Sequence, residues 1–583
     1  MLRLPLSPVA KRIGFVLFLW VLPAIAFMTV FFSNVRNTGS DPRATLLVSE
    51  SILTHGTIQL DHYGNDVLDR YGRAVRKKKG HRYNYFPLGT AMVSLPAVAL
   101  AKACGYSMVE SEPAVQMIIA SVTAALMLLL LIKIALLFLS PCRAGLLAVV
   151  YWFGTSLAST CGTALWSHNF AVLFALAAIY CVLQEQREPG RLRWISIGIC
   201  LFLSYLCRPN MALLAPALLL FYFSFRRGSA VKAGAVIGML LLGFIAFSLH
   251  EYSQILPDYY LPQRLGNYEI NQFPDGLNIP QSGYFLTAVF GNLFSPARGL
   301  FVFSPFILFS WCLSSSSAKT FKVNRSWLWV GVAWPVAHLI TISLYPLWWA
   351  GHSFGSRLMV DVLPGLFLLS LCCRPPRGIW RIVGTVLFAI SAVFAVVVNS
   401  IQGLNNPYTA AWNGSPNIDR YPQYLFDWKY PQFLHNQTRH ELRQVEHGLP
   451  LMTPVVSGER YLHNSMNLLF VGWSGIEPEL RWSEGTVSRI YFRVDLSKAG
   501  AFKGRLSIDA GTLGQQRVEV ELNGRKVFCG KLEGWDVSIN ETFPTPLLKN
   551  GTNCLRFILP DARSPGNGDP RVLALALRSV CLQ

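Results

Sequence analysis

The sequence has few charged residues and no Cys-x-x-Cys motif. Only 14% of its 583 residues are Asp, Glu, Lys or Arg, whereas hydrophobic residues make up 52%. A soluble domain usually carries about 25% charged residues, so the deficit predicts a membrane protein. The 12 cysteines include no Cys-x-x-Cys motif, and most are single and lie within apolar runs. There they act as small hydrophobic residues, and no cysteine metal site is predicted.

The charge that remains is strongly positive, with a formal net charge of +20. In a soluble protein this would suggest a nucleic-acid partner. Here much of the Lys and Arg lies in short loops between apolar runs, where it reports membrane topology instead. No soluble segment has a basic stripe with interleaved aromatic residues, so nucleic acid is excluded as a partner. The apolar run from Phe15 to Phe32 is too long for a signal peptide, which predicts a retained first helix.

Twelve apolar segments could cross a membrane of about 30 Å, some of them with tilt or with residues from their flanks. They are 13–32, 87–104, 114–139, 145–161, 169–184, 194–207, 211–224, 232–249, 300–314, 326–345, 357–373 and 379–400. The positions of Lys and Arg make the loop 250–299 and everything after Ser400 extracytoplasmic. Twelve crossings would return the chain to the cytoplasm. We therefore predict about 11 crossings, with the proline-containing segment 87–104 as the one that does not cross fully.

The polar interval 33–86, the first extracytoplasmic loop, contains the leading candidate for chemistry. Asp41 follows the first helix by a few residues, which places it at about headgroup depth. The proline and apolar spacing after it predict an amphipathic helix on the membrane surface. Farther on, Lys77, Arg82 and Tyr85 belong to a basic and aromatic cluster. Such an arrangement could hold a lipid phosphate and deprotonate a hydroxyl, or Asp41 could simply cap the helix.

The C-terminal part of the chain changes from apolar runs to strand-like alternation. After a polar and aromatic linker at 404–451, residues 452–583 show the period of two that is expected of strands. Asn523-Gly524 between two such runs is a hairpin signal. The pattern predicts a β-sandwich of jelly-roll type. Cys529 and Cys554 could form a disulfide across it or remain a free pair.

Polar residues recur at the predicted external ends of the apolar segments. They are His168, Arg208, Arg298, His352 and Arg357. A charge at membrane depth is costly, which makes each arginine a functional candidate, and several together would form an anion site. Taken singly, each arginine could also be a snorkelling anchor, and Arg357 could pair with Asp361 one turn later.

Three of these features resemble the GT-C superfamily of membrane glycosyltransferases. They are the acid after the first helix (Asp41), the histidine turn Trp166-Ser-His168-Asn169, and the Arg-Pro turn at Arg208. The superfamily includes protein mannosyltransferases, aminoarabinose transferases and mycobacterial arabinofuranosyltransferases. The resemblance covers about residues 10–400 and implies a polytopic helical catalytic domain at 1–403. Residues 472–477 and 481–483 resemble the openings of carbohydrate-binding-like sandwiches that are appended to such enzymes.

The resemblance implies an inverting transfer of a sugar, such as arabinofuranose or another pentose or hexose. The donor would be a polyprenyl-phosphate sugar and the acceptor a glycan, lipid or protein, with Asp41 as the catalytic base. The substrate-binding candidates are Arg43, Glu50, Lys77, Arg82, Tyr85, His168, Arg208, Arg298, His352 and Arg357. The second acid of the family's motif is missing, because Pro42 follows Asp41 directly; Glu50 and Asp61 are possible substitutes. No metal ligands are predicted, although a divalent metal is allowed.

The expected location is the bacterial inner membrane, with the active site and the sandwich facing the periplasm. The sandwich is expected to bind or position the acceptor glycan through Trp473, Trp482 and Trp535, of which Trp482 is expected in the core. Two other functions stay open. A glycan polymerase or ligase would use a lipid pyrophosphate donor, and a lipid or glycan transporter would also line a cavity with Arg and His. The lack of internal repeats disfavours the transporter.

Overall fold

The computed structural model describes residues 8–261, 282–314, 325–497, 502–566, 569 and 571–583. The chain divides into two compact units. The first contains Met1–Asn413 and Ile418–His435, and the second contains Gly414–Asn417 and Asn436–Gln583. The expected linker 404–451 is therefore shared between the two units, and short helices and turns form within it.

The first unit is helical, as the apolar segments predict. Its helices are α1 (Pro8–Phe31), α2 (Thr45–His55), α3 (Asn65–Leu68), α4 (Leu88–Ala103), α5 (Met108–Leu136), α6 (Pro141–Phe153), α7 (Ser156–Cys161), α8 (Ser167–Arg187), α9 (Arg193–Cys207), α10 (Leu214–Phe223), α11 (Arg227–Tyr252), α12 (Ser282–Phe294), α13 (Leu300–Phe303), α14 (Trp334–Ser343), α15 (Leu363–Cys372), α16 (Ile379–Val396), α17 (Gly403–Asn405) and α18 (Tyr408–Ala411). Two 3-10 turns matter for the site. They are Asp258–Tyr260 after α11 and Arg357–Val362 before α15.

Five helical stretches in the described part of the chain are long and apolar enough to cross a membrane. They are Met108–Leu136, Ser167–Arg187, Arg227–Tyr252, Arg325–Ser343 and Ile379–Asn405. Large apolar side chains stay exposed on the last of them, among them Ile382, Ile390 and Val393. An unpartnered apolar helix face is suited to lipid rather than to water. The structure thus supports a helical membrane unit.

Two sequence predictions about the helices are wrong. The segment 300–314 is not a spanning helix, because the short α13 ends at Phe303 and is followed by 3-10 turns. Pro305 disfavours a helical backbone at Ser304, whose ψ is 57°. The loop 250–299 in turn contains α12, an apolar helix that the sequence analysis assigned to a loop. The segment 87–104 forms the helix α4, which has Pro96 inside it.

The first loop contains the predicted helix and a hairpin that was not predicted. α2 follows Pro42 as expected, but its residues from Thr45 to Ser51 are buried and do not face a membrane surface. Beyond it, β1 (Val75–Lys78) pairs antiparallel with β2 (His81–Asn84). Lys79 and Gly80 form the turn with φ values of 51° and 88°. Positive φ at both turn residues is what a two-residue hairpin turn of type I′ requires.

The second unit contains the predicted β structure after the helix α19 (Gln437–Arg443). Its strands are β3 (Arg460–Leu462), β4 (Leu468–Val471), β5 (Arg481–Glu484), β6 (Val487–Val494), β7 (Arg505–Thr512), β8 (Gln516–Leu522), β9 (Arg525–Leu532), β10 (Val537–Thr542), β11 (Gly551–Ile558) and β12 (Leu573–Leu582). They form two antiparallel sheets, ordered β4-β6-β11-β8-β9 and β10-β7-β12-β3, with β5 also paired to β12.

One apolar core joins the two sheets into a sandwich. It contains Ile490 and Leu555 from one sheet and Ile508 and Val580 from the other. Asn523-Gly524 forms the turn between β8 and β9, as predicted. The disulfide between Cys529 and Cys554 is not formed, because both cysteines are free.

Candidate functional site

The candidate base Asp41 is bound by an arginine from the far end of the first unit. Nη2 of Arg357 donates to Oδ2 of Asp41 at 2.6 Å, and the guanidinium lies 3.9 Å from the centre of the Trp166 ring. The two side chains are 12% and 26% exposed. Arg73, itself 72% exposed, lies 3.4 Å from Oδ1 of Asp41. The alternative that Arg357 pairs with Asp361 is therefore wrong.

Asp361 is instead the centre of a buried cluster. Nε of Arg208 donates to Oδ2 of Asp361 at 2.5 Å, and Nδ1 of His168 lies 2.8 Å from Oδ1. Nε2 of His338 is 3.9 Å from the same carboxylate. α8 and α9 are antiparallel neighbours. His168 lies at the beginning of α8 and Arg208 directly after the end of α9, so the two residues lie close together.

Positive charge around Asp41 determines its ionisation. Burial raises the pKa of Asp41, but Arg357, Arg73 and Arg208 outweigh burial and hold the pKa below its usual value. Asp41 is therefore ionised at neutral pH, as a general base must be. Because Arg208 also binds Asp361, the two carboxylates share the field of one cation.

Two residues of α5 hold the chain in place immediately after Asp41. The carboxylate of Glu112 accepts hydrogen bonds from the backbone N–H groups of Ala44 and Leu46, each at 3.0 Å. Gln116 donates to the carbonyl of Pro42 at 3.2 Å. Ala44 has a left-handed backbone with φ of 64°, a conformation that needs such support. The sequence analysis missed both residues, because they lie at the beginning of an apolar helix.

Glu50 was a candidate substrate ligand, but the structure gives it a structural role. Oε1 accepts from the backbone N–H of Met108 at 3.1 Å, and Oε2 accepts from the Tyr63 hydroxyl at 2.9 Å. Met108 is the first residue of α5, so Glu50 caps that helix. Both carboxylate oxygens are therefore already used within the fold.

Arg298 is likewise committed to the fold. Its guanidinium donates to the carbonyls of Trp349, Ala297 and Gly351 at 2.8–3.0 Å. It also donates to the side-chain oxygens of Gln432 and Asn413 at 2.8 and 2.7 Å. These bonds occupy all five N–H groups of an arginine, and none remains for a phosphate. The candidate His352 lies next to a different acid. Its Nε2 is 3.6 Å from Oδ2 of Asp419.

The hairpin β1–β2 forms one wall of a cavity of about 190 Å³. Thr45 and Val48 of α2 line it, and so do Tyr252 at the end of α11 and Asp258 in the turn that follows. Its lining contains three cationic side chains and one carboxylate. The cations are Arg76, Lys77 and Lys78, and the carboxylate is that of Asp258. We call this space the hairpin cavity.

The cations of the hairpin cavity differ in how they are engaged. Lys78 pairs with Asp258 at 2.7 Å. The Arg76 guanidinium lies 3.5 Å from the centre of the Tyr85 ring, and Arg76 forms no ion pair among the described residues. Lys77 is exposed. The candidates Arg43 and Arg82 belong to the same loop but do not line this cavity.

Tyr259 packs against two aromatic residues that line the hairpin cavity. Its ring lies 5.5 Å from that of Tyr85 and 6.0 Å from that of Phe86. Burial raises the pKa of Tyr259, with Arg208 lowering it and Asp41 raising it. The hydroxyl therefore stays protonated at neutral pH. The sequence analysis missed Tyr259, because it lies in a loop without a motif.

The described residues contain no group of three His, Cys, Asp or Glu side chains that could hold a metal ion. No protein-family model matches the chain, and no curated protein matches it. What this unit offers chemically is an ionised, partly exposed carboxylate at Asp41 and a separate cavity whose lining carries a surplus of positive charge.

Proposed function

We propose that the chain is a GT-C-type glycosyltransferase of the bacterial inner membrane. It transfers a sugar with inversion from a polyprenyl-phosphate donor to a hydroxyl of a periplasmic glycan, lipid or protein. The observation that carries the proposal is Asp41, ionised and a quarter exposed, in the loop between α1 and α2 and bound to Arg357 at 2.6 Å. About 11 crossings, with Asp41 on the periplasmic side, belong to the same proposal.

The chemistry needs one base and a site for phosphate charge. The acceptor oxygen attacks the anomeric carbon, and the bond from that carbon to the phosphate oxygen breaks. Polyprenyl phosphate leaves with the electron pair, and the hydroxyl proton passes to Asp41. A phosphate leaves readily once cations neutralise its developing charge, so no general acid is required. A single displacement of this kind inverts the anomeric centre.

The leaving phosphate in such a displacement lies on the side of the anomeric carbon opposite the attacking hydroxyl. It should therefore lie away from the base. Arg208 and Arg357 are each bound to a carboxylate, and Arg298 has no free N–H. Arg76 and Lys77 line a cavity and are bound to no carboxylate among the described residues. We assign the donor phosphate to the hairpin cavity, where the apolar lining would contact the first part of the lipid.

In this proposal Arg357 orients the base and does not bind the donor phosphate, which was the role that the sequence suggested. It fixes the orientation of Asp41 through a charge-assisted hydrogen bond, and its guanidinium is held by the Trp166 ring. Its Nε is buried and has no hydrogen-bond partner among the described residues.

A polymerase or ligase with a lipid pyrophosphate donor is the second candidate. The three cations of the hairpin cavity favour it, because the pyrophosphate of such a donor carries more charge than the phosphodiester of a polyprenyl-phosphate sugar. The two candidates differ in the released lipid, which is polyprenyl phosphate in one case and polyprenyl pyrophosphate in the other. Chromatography of the lipid product separates them.

The decisive experiment is Asp41→Asn in the full chain reconstituted in liposomes with a bacterial extract of lipid-linked sugars. The change keeps the shape of the side chain and removes its basicity. Losing a general base costs roughly 10²–10⁴-fold in rate. Asp61→Asn is the matched control, because Asp61 is an acid of the same loop that pairs with His81 instead. Release of free polyprenyl phosphate at more than about a tenth of the wild-type rate by Asp41→Asn would refute the assignment.

A further inference from the structure

Two tryptophans lie side by side on the outer face of the sheet that contains β7 and β12. The side chain of Trp535 is 52% exposed, and that of Trp482 is half-buried. Their ring centres are 5.9 Å apart, and the ring planes are inclined at 52°. The expectation that Trp482 is a core residue is therefore wrong. Trp473 is the core residue instead, and its indole N–H donates to the carbonyl of Arg489 at 3.0 Å.

The sheet itself positions the two rings. Trp482 of β5 is in register with Ala576 of β12, which is in register with Gly511 of β7. A Cβ added at Gly511 would lie 3.2 Å from Cε3 of Trp535 and 2.8 Å from its carbonyl oxygen. A glycine and an alanine thus provide a flat floor on which two large rings fit. We call the two tryptophans with this floor the tryptophan platform.

Two ion pairs lie near the platform. The Arg578 guanidinium lies 5.5 Å from the centre of the Trp535 ring and donates to Oδ1 of Asp536 at 2.5 Å. The carboxylate of Asp536 is 87% exposed and can accept further hydrogen bonds. On the same sheet, Arg460 of β3 donates to Asp509 of β7 at 2.6 Å. Two cations are balanced by two carboxylates.

We propose that the tryptophan platform is a binding site for a neutral saccharide. A sugar ring has an apolar C–H face, which fits an exposed indole, and a rim of hydroxyls, which fits the paired guanidinium and carboxylate groups. The balanced charge argues against a nucleic acid or an anionic lipid, since both need a surplus of cations. The site is independent of Asp41 and of the donor, and it stands whether or not the chain transfers sugars.

The test uses the full chain in nanodiscs, so that no sugar-headed detergent competes. The probes are immobilised neutral oligosaccharides built from glucose, mannose, galactose or arabinose. The wild-type protein should bind at least one series, and Trp535→Ala should weaken that binding at least about tenfold. Trp535→Phe keeps an aromatic face and should restore part of the affinity. Trp428→Ala is the matched control, because it removes an exposed tryptophan from the first unit.

Two further variants separate stacking from folding. Arg578→Ala leaves both rings in place and should weaken binding through the lost hydroxyl contacts. Trp482→Ala should act like Trp535→Ala, provided that the thermal midpoint of the variant stays near the wild-type value. No binding of the wild-type chain to any probe would overturn the proposal. So would equal binding by Trp535→Ala, or binding of single-stranded DNA or anionic vesicles that depends on Trp535 in place of the saccharides.

Discussion

Asp41 and Arg357 are 316 residues apart in the chain and 2.6 Å apart in the structure. This contact ties the first loop to the turn that precedes α15. Since Arg357 also lies on the Trp166 ring, three distant segments meet at one carboxylate. Asp361, four residues after Arg357, faces the buried Arg208 instead. The shortest arginine contact of each carboxylate is thus to a different residue, and of the two carboxylates only Asp41 stays accessible.

We expect Arg357→Lys to lower kcat/KM about ten- to a hundredfold, because a charge-assisted hydrogen bond contributes roughly 1.5–3 kcal/mol. Lysine keeps the charge but lacks the planar fork that reaches Asp41 and stacks on Trp166 at the same time. The matched control is Arg298→Lys. It removes bonds to backbone carbonyls and should lower the thermal midpoint, while the folded fraction keeps its kcat. Wild-type kinetics for Arg357→Lys would contradict the role of the Asp41–Arg357 contact.

The hairpin cavity gives a prediction about the donor. Neutralising Arg76 and Lys77 together, as Arg76→Gln with Lys77→Gln, should raise the KM for the lipid-linked donor at least about tenfold. The acceptor KM should change little. Arg82→Gln is the control, because it removes one positive charge from β2 without removing a residue that lines the cavity. If the control raises the donor KM as much as the double variant, general attraction to the membrane explains the effect.

Several residues of the site were predictable from the sequence because their residue types are unusual at their positions. Asp41, His168, Arg208 and Arg357 are polar or charged residues at the ends of apolar segments, where such residues are costly. Their partners were not predictable. Nothing local tells that Arg208 contacts Asp361, 153 residues later. Such pairs depend on which helix ends meet, and a single sequence does not contain that information.

The parts that were missed have equally specific reasons. The strand β1 is a basic run without apolar alternation, so the usual sign of a strand is absent. Glu112 lies where an apolar helix begins, and its two backbone partners become visible only once α2 has been placed. In the second unit the alternation is clear, and the β structure was predicted. Which tryptophan faces outward depends on strand register, which the alternation did not settle for β5.

Glu112 leads to a prediction about positioning. Glu112→Gln keeps the size of the side chain but replaces one acceptor oxygen by a donor that faces a backbone N–H. The segment from Pro42 to Leu46 should shift, and with it Asp41. We expect kcat to fall at least about tenfold with little change in donor KM, because binding residues lie elsewhere. Glu112→Asp should recover part of kcat. An unchanged kcat in Glu112→Gln would show that Asp41 is held without this anchor.

The last prediction concerns the pH dependence of catalysis. In the wild type, burial raises the pKa of Asp41, but the arginines, Arg357 foremost, bring it below its usual value. Asp41 thus stays ionised as the pH falls, until the pH passes that lowered pKa. Arg357→Met removes the foremost lowering influence and leaves burial, so the pKa of Asp41 should rise. The acid limb of kcat/KM against pH, which reports the base of the free enzyme, should move to higher pH.

The lowered pKa of Asp41 should also make the stability of the fold depend on pH. Because the pKa of Asp41 is lowered on folding, its ionised form stabilises the wild type above the unfolded-state pKa. That contribution is lost as the pH falls through the folded-state pKa, so the thermal midpoints of wild type and Asp41→Asn should converge in acid. Arg73→Met is the matched control for the rate profile, since Arg73 is largely exposed and 3.4 Å from Asp41. It should move the acid limb much less than Arg357→Met. Equal shifts in the two variants would mean that overall positive charge, and not the Asp41–Arg357 contact, governs the base.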